Sequence, residues 1–191
     1  MKLVLASTSV FRRQLLDRLQ LTYETDSPAV DEAPLADEAL DQMVIRLAIA
    51  KARAVAARHP NALIIGSDQS AELDGRKLGK PGGYDQAFMQ LQQASGKRIV
   101  FKTGLCLLNS QTDQMQTACV DYTVVFRRLS DTQIDAYLKR DQPWQCAGSF
   151  KSEGLGIALF ERFEGEDPTA LIGLPLIQLT SMLEQQGLHV L

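Results

Sequence analysis

The chain has 191 residues, of which 45% are hydrophobic and 23% charged, so it is long and apolar enough to bury a sizeable core. Its net charge is −3, and it shows neither a signal peptide nor the roughly 18 apolar residues of a membrane span, which predicts a cytoplasmic protein with neither nucleic acid nor a membrane as partner. Three cysteines without a C-x-x-C pattern and two histidines leave little material for a disulfide framework, a histidine-based zinc site or a Ser–His–Asp triad.

The first predicted elements are a buried strand over Lys2–Ala6 and a helix that begins behind Ser9, the expected N-cap, and runs to about residue 19. Its apolar face is predicted to comprise Phe11, Leu15, Leu16 and Leu19. Arg12 and Arg13 lie in the first turn, where the helix dipole is positive and an arginine is unfavourable unless an anion docks there. We expect Arg12 to point into the apolar face. The placement favours an anion site; the alternative is that both arginines are solvated.

A short strand near residues 22–25 and an acidic, proline-containing loop precede a long predicted helix over Ala39–Arg58. Lys51 projects near the middle of the apolar stripe of that helix. A lysine in the middle of a helix reaches solvent less easily than one at an end, so it either snorkels or has a buried anionic partner. Glu32, in the acidic loop, is either solvated or the second carboxylate of a magnesium site.

The run Leu63–Ser67 predicts a buried strand that ends just before Asp68. In open α/β sheets, ligands bind beyond the carboxyl ends of strands, and a carboxylate there binds a divalent cation or accepts a proton from water. The alternative for Asp68 is an ordinary turn or cap residue. Asp74-Gly75 predicts a hairpin turn. Lys80 lies in the tight segment just before Pro81, and the alternative to a functional role is that it is an exposed loop lysine.

The rest of the chain alternates helices and strands. The pattern predicts a helix at Tyr84–Ala94, strands at Ile99–Leu108 and Thr117–Arg128, a helix opened by a capping box at Ser130, a glycine-punctuated loop at Ala147–Gly156, a strand at Ile157–Phe163 and a helix at Pro175–Gln186. Interleaved elements predict an α/β fold, and the two long neighbouring strands favour a mixed sheet with helices packed on it.

Six segments in this order carry a resemblance that runs through essentially the whole chain. They are Leu5–Arg13, Val30–Glu32, Ala50–Ala52, Ile65–Gln69, Gly79–Pro81 and Gly148–Gly154. Together they resemble the Maf family of nucleotide pyrophosphatases. The resemblance implies one domain over residues 1–191, with a Maf/inosine-triphosphatase-like mixed sheet flanked by helices and two lobes around a central cleft. It also implies hydrolysis of a nucleoside triphosphate to the monophosphate and pyrophosphate with Mg²⁺ or Mn²⁺.

The resemblance also implies roles for individual residues. Asp68 is the expected proton acceptor that activates water, and Glu32 and Asp68 are the expected metal ligands. The residues expected to bind the triphosphate are Ser7, Arg12, Arg13, Lys51 and Lys80. The substrate-selecting positions of the family fall on Phe11, Gln69 and Glu153.

These three selecting residues resemble the branch that hydrolyses 7-methyl-GTP, which has an aromatic residue, Gln and Glu there; the dTTP/UTP branch has Arg, Thr and Gln. Methylated guanine carries a delocalised positive charge, which an aromatic face and a carboxylate both favour. Glu153 is also a hydrogen-bond acceptor for guanine N–H groups. The chain departs from the pattern at Val10, where the family usually has Pro, and at Phe11, where the branch usually has Trp.

Three other hypotheses remain open at this point. The substrate is dTTP, UTP or a modified pyrimidine triphosphate; or the protein is a nucleotide-binding regulator of cell division without turnover; or it is a structural α/β domain whose charges are merely solvated. The family also suggests a homodimer.

Overall fold

The computed structural model describes residues 1–191 as seven strands and six α-helices. The strands are β1 (Lys2–Ala6), β2 (Glu24–Asp26), β3 (Ala62–Leu73), β4 (Arg76–Leu78), β5 (Arg98–Asn109), β6 (Met115–Phe126) and β7 (Phe160–Glu164). The helices are α1 (Val10–Asp17), α2 (Leu40–Ala56), α3 (Tyr84–Ala94), α4 (Asp131–Asp141), α5 (Pro168–Ile172) and α6 (Leu176–Gln185). Short 3₁₀ turns lie at Ala147–Ser149 and Leu155–Leu159.

All seven strands belong to one mixed sheet. Six of them hydrogen-bond in the order β2-β1-β3-β5-β6-β7, and β4 pairs with β3. β1 runs parallel to β2 and to β3, whereas β4 is antiparallel to β3 and β7 is antiparallel to β6. The predicted α/β class with a mixed sheet and packed helices is therefore confirmed.

The chain forms two compact units. Unit 1 comprises Met1–Gln69, Lys102–Val120 and Asp167–Leu191, and unit 2 comprises Ser70–Phe101 and Asp121–Glu166. In unit 1 the strands alternate their apolar side chains between two cores. One core packs β1, β3 and β5 against α1 and α6, and the other packs the same strands against α2. Unit 1 is thus a sheet covered by helices on both faces, as buried parallel strands require.

Unit 2 combines two helices with the remaining strand segments. α3 packs against α4, which begins at the predicted capping box of Ser130 and Gln133. An edge-to-face aromatic cluster fills the space beside the sheet, with ring centroids 4.7 Å apart for Phe150 and Phe160 and 5.0 Å apart for Phe126 and Phe160. The predicted turn at Asp74-Gly75 is confirmed, since it joins β3 to β4.

Three features differ from the sequence prediction. The strand predicted at Ile157–Phe163 begins only at Phe160, after the 3₁₀ turn at Leu155–Leu159. β3 does not end at Ser67 but continues to Leu73, so Asp68 lies inside the strand and not beyond its carboxyl end. The parallel pairing of β3 with β1, however, reaches only Ile65, so Asp68 does lie past the end of the parallel register. The short helix α5 was not predicted, although its N-cap Asp167 followed by Pro168 is a helix-start signal.

None of the six helices combines the length and the apolar character needed to cross a bilayer.

Candidate active site

Two glycines allow helix α2 to approach the sheet of unit 1 very closely. A Cβ atom on Gly66 would lie 2.1 Å from the carbonyl oxygen of Ala48, and one on Gly104 would lie 2.2 Å from that of Val44. Any larger residue would push the helix away, so glycine is required at both places for packing. This approach brings the middle of α2 against the polar stretch of β3 that follows Gly66.

The close packing of α2 against the sheet allows Lys51 to bind two carboxylates. Its Nζ lies 2.6 Å from Oδ1 of Asp68 and 2.6 Å from Oε1 of Glu32. Lys51 is only 5% exposed and Asp68 8%, whereas the side chain of Glu32 is 58% exposed. Lys51 therefore has the buried anionic partner that its place in an apolar stripe suggested, and it does not snorkel. Oδ2 of Asp68 has no hydrogen-bond partner in the chain.

The carboxylates of Glu32 and Asp68 suit a hard divalent cation. Both place an oxygen at the same ammonium group, and carboxylate oxygen is the ligand type that Mg²⁺ and Mn²⁺ prefer. No group of three or more His, Cys, Asp or Glu side chains is arranged so that it could hold a metal ion by itself. A metal bound by these two residues would thus complete its coordination with phosphate oxygens and water, as Mg²⁺ usually does.

Arg12 is anchored by one nitrogen and free at its others. Its Nε donates to the carbonyl oxygen of Gly173 at 2.8 Å, and its terminal nitrogens have no partner in the chain. Burial lowers the pKa of the Arg12 guanidinium, and the charges of Asp68 and Glu32 oppose that shift. Both carboxylates thus act electrostatically on Arg12, whose unpaired guanidinium fork suits phosphate.

The end of α5 collects side chains from three other elements. The carbonyl oxygen of Gly173 also accepts from Oγ of Ser67 at 2.9 Å, and that of Ala170 accepts from Oγ1 of Thr103 at 2.9 Å. Gln69 points to the same place: its Nε2 lies 2.7 Å from the Ala170 carbonyl oxygen and 3.2 Å from Oγ1 of Thr103. The carbonyls at a helix C-terminus keep acceptor capacity that the helix itself does not use, and these side-chain donors occupy it.

Gln69 and Asp68 therefore face opposite sides of β3, because successive side chains alternate along a strand. Asp68 faces α2, and Gln69 faces α5 with its amide nitrogen fully engaged. Only its Oε1 remains without a partner in the chain. The Gln69 oxygen is thus the atom available to a ligand.

Ser7 and Arg13 line an open pocket of about 310 Å³ in unit 1. Thr8, Thr25, Asp26 and Ser27 complete its wall. Ser9 caps α1 as predicted, its hydroxyl accepting from the Arg12 backbone nitrogen at 3.4 Å. Phe11, which was predicted on the same apolar face of α1 as Leu15 and Leu16, is 36% exposed, whereas those two leucines are buried.

Lys80 and Glu153 belong to unit 2, and the charges of both act on the Cys146 thiol. The pKa of the Cys146 thiol is raised by burial and by Glu153, while Lys151 and Lys80 act to lower it. Lys80 and Glu153 are exposed, and Lys80 has no partner in the chain. The unit thus presents one cation and one carboxylate on neighbouring loops.

The structure therefore brings Glu32, Lys51 and Asp68 into contact in unit 1, where both carboxylates act electrostatically on Arg12. In unit 2 the charges of Lys80 and Glu153 act on one thiol. Sequence reasoning missed Ser67, Thr103 and Gly173, which hold Arg12 and Gln69 in place. No local sequence signal identifies these contacts, because they join residues 67 to 161 positions apart.

A family model described as Maf-like protein matches residues 2–186. A 7-methyl-GTP pyrophosphatase from Methylobacillus flagellatus is 55% identical over 189 residues, covering 99% of this chain and 98% of that protein. Proteins of the same name from Cupriavidus pinatubonensis and Pseudomonas aeruginosa are 54% and 51% identical, covering 97% and 98% of this chain and 94% and 98% of their own. The solved Staphylococcus aureus Ham1 protein covers 97% of this chain and 100% of its own at a TM-score of 0.49 and 15% identity, a likeness too distant to bear on function.

Proposed function

The chain belongs to the Maf-like protein family, and we propose that it hydrolyses 7-methyl-GTP to 7-methyl-GMP and pyrophosphate. The support from relatives is full-length: proteins of that name share more than half of its residues over nearly all of both chains. The observation in the structure that carries the proposal is the cluster in which Lys51 binds both Asp68 and Glu32. It supplies a base, a cation and a pair of metal-binding carboxylates at one point.

Asp68 is the proposed general base. Its Oδ1 is held by Lys51, so its unpartnered Oδ2 accepts a proton from the attacking water. The water oxygen forms a bond to the α phosphorus, the bond from that phosphorus to the bridging oxygen breaks, and pyrophosphate leaves with the electron pair. Lys51 orients the carboxylate, and its charge also favours the anionic transition state.

The cations have separate tasks in this proposal. Arg12 offers its free guanidinium fork to the phosphates, while its Nε remains on Gly173. Arg13 and Ser7 bind phosphate oxygens at the pocket that they line, and Lys80 stabilises the leaving pyrophosphate. A Mg²⁺ or Mn²⁺ ion held by Glu32 and Asp68 would supply charge neutralisation and orientation of the triphosphate.

We propose that Phe11, Gln69 and Glu153 select the nucleobase of the substrate. The exposed ring of Phe11 is available to stack on a cationic base, and Glu153 supplies a negative charge for it. The free Oε1 of Gln69 is a hydrogen-bond acceptor, which matches the N–H groups on the edge of guanine.

A nucleotide panel tests the proposal. Pyrophosphate release is measured from 7-methyl-GTP, GTP, dTTP and UTP with purified protein, with and without Mg²⁺. We expect the highest kcat/KM for 7-methyl-GTP and no release without a divalent cation. A preference for dTTP or UTP would assign the other branch, and binding without release would indicate a regulator.

A further inference from the structure

Ser149 is a buried residue in an unusual backbone conformation. It is 0% exposed and has a φ of +63°, directly after Gly148 with a φ of +75°. A serine in the left-handed region is disfavoured by its Cβ, and such residues persist where the surroundings hold them for a purpose. The conformation of Ser149 is therefore held by its surroundings, and its side-chain hydroxyl contacts Gln90.

The Ser149 hydroxyl begins a chain of hydrogen bonds across unit 2. Its Oγ donates to Oε1 of Gln90 at 2.6 Å, and Nε2 of Gln90 donates to the carbonyl oxygen of Gly79 at 3.2 Å. Gln90 is only 6% exposed. These two contacts define the orientation of the Gln90 amide. Its oxygen accepts from the Ser149 hydroxyl, and its nitrogen faces the Gly79 carbonyl, which can only accept. The relay joins two segments that are far apart in sequence.

The relay ends beside Lys80. Gly79 precedes this lysine, and two residues after it the backbone nitrogen of Gly82 donates to the carbonyl oxygen of Trp144 at 2.9 Å. The stretch that carries Lys80 is thus held on both sides, while its ammonium group is exposed and has no partner in the chain. Because the backbone around Lys80 is already fixed, less conformational entropy is lost when its ammonium group binds an anion.

We propose that Gln90 and Ser149 are positioning residues for Lys80, holding its loop so that the ammonium group meets the pyrophosphate part of the substrate. This inference rests on the proposed function, in which Lys80 binds those phosphates. Neither side chain touches the substrate. Both act through the backbone of Gly79.

The test compares Gln90→Met and Ser149→Ala with the wild type. We measure KM for 7-methyl-GTP, the calorimetric Kd of inorganic pyrophosphate with Mg²⁺, and Tm. Each variant should raise KM and Kd about three- to tenfold, the loss expected when one ordering hydrogen bond is removed. Ser149→Gly serves as a second variant that relieves the backbone conformation and keeps the fold, and it should raise the same Kd.

A double-mutant cycle separates positioning from a merely structural role. In a Lys80→Ala background, Gln90→Met should raise the pyrophosphate Kd no further, because the cation it positions is gone. Additive effects, or an unchanged Kd in Gln90→Met alone, would overturn the inference. Ser95→Ala is the matched control: it removes a hydroxyl that bonds Leu129 in the same unit, and should lower Tm without changing Kd.

Failure of the positioning role and failure of the pyrophosphatase activity give different experimental results. If the wild type releases pyrophosphate but Lys80→Ala leaves KM and Kd unchanged, the positioning role is wrong and the pyrophosphatase activity stands. If the wild type has no turnover, the activity is wrong, and the pyrophosphate Kd still decides the role of the relay.

Discussion

The two units of the molecule hold their candidate functional charges in opposite ways. In unit 1, Lys51 and Asp68 are buried and bonded to each other on a helix and a strand that pack closely. In unit 2, Lys80 and Glu153 are exposed on loops, and the order lies in the buried polar contacts beneath them. In the proposed function these two pairs have different tasks: Lys51 and Asp68 serve the chemical step, whereas Lys80 and Glu153 bind and select the ligand.

The largest expected effect comes from Asp68→Asn. Asn still accepts from Lys51 but no longer takes a proton, so kcat should fall about 10²- to 10⁴-fold, the usual contribution of a general base. Nucleotide affinity, measured by calorimetry, should change little. Glu32→Gln is the matched variant and should lose less, since Glu32 is not the base. Near-normal turnover in Asp68→Asn would remove unit 1 from the chemical step.

A large loss of stability is expected from Lys51→Met. Removing the ammonium leaves the buried carboxylate of Asp68 without its counter-charge, which costs about 3–5 kcal/mol when a buried pair is broken. The double variant Lys51→Met with Asp68→Asn should recover much of that loss, because no buried charge then remains. Urea unfolding measures all three proteins. Equal stability of the single variant and the wild type would show that the pair is effectively solvated.

A smaller effect is expected from Glu153→Gln in unit 2. An exposed ion pair contributes at most about 1 kcal/mol, so kcat/KM for 7-methyl-GTP should fall about fivefold or less. The kcat/KM for GTP should fall less, because its base lacks the positive charge and loses only part of its hydrogen bonding to Glu153. Equal losses for both nucleotides would mean that Glu153 does not read the charge of the base.

The smallest effect is expected at a partly exposed cluster of unit 1, in which Asp26 contacts Arg58 and His59. Hydrogen bonds from Arg58 and then His59 hold the pKa of Asp26 well below its ordinary value. A depressed folded pKa contributes stability above the unfolded value of about 3.9, and that contribution disappears as the pH falls through the folded pKa. Asp26→Asn should therefore lower Tm slightly at pH 7, and the gap should narrow below about pH 4. A difference in Tm between the two proteins that grows in acid would contradict the lowered pKa of Asp26.

The sequence predicted the parts of the fold that local signals determine. The capping box at Ser130, the turn at Asp74-Gly75 and the helix at Tyr84–Ala94 all lie where the pattern placed them. Lys51 was recognised because a charge in an apolar stripe is a local conflict, and its buried partner proved to be the reason.

Features that depend on tertiary contacts were not predicted. The polar run from Ser67 to Ser70 looked like the end of a strand, yet β3 continues because α2 and α5 supply partners for Asp68, Ser67 and Gln69. The relay through Gln90 and Ser149 has no sequence signature, since it joins residues 59 positions apart. The cleft between two lobes, the homodimer and the cytoplasmic location stay predictions.

The most direct test of the central claim follows the oxygen of the attacking water. Hydrolysis of 7-methyl-GTP in ¹⁸O-labelled water, analysed by mass spectrometry, should place the label in 7-methyl-GMP, because Asp68 directs water to the α phosphorus. Label found in pyrophosphate instead would mean attack at the β phosphorus and would contradict the account.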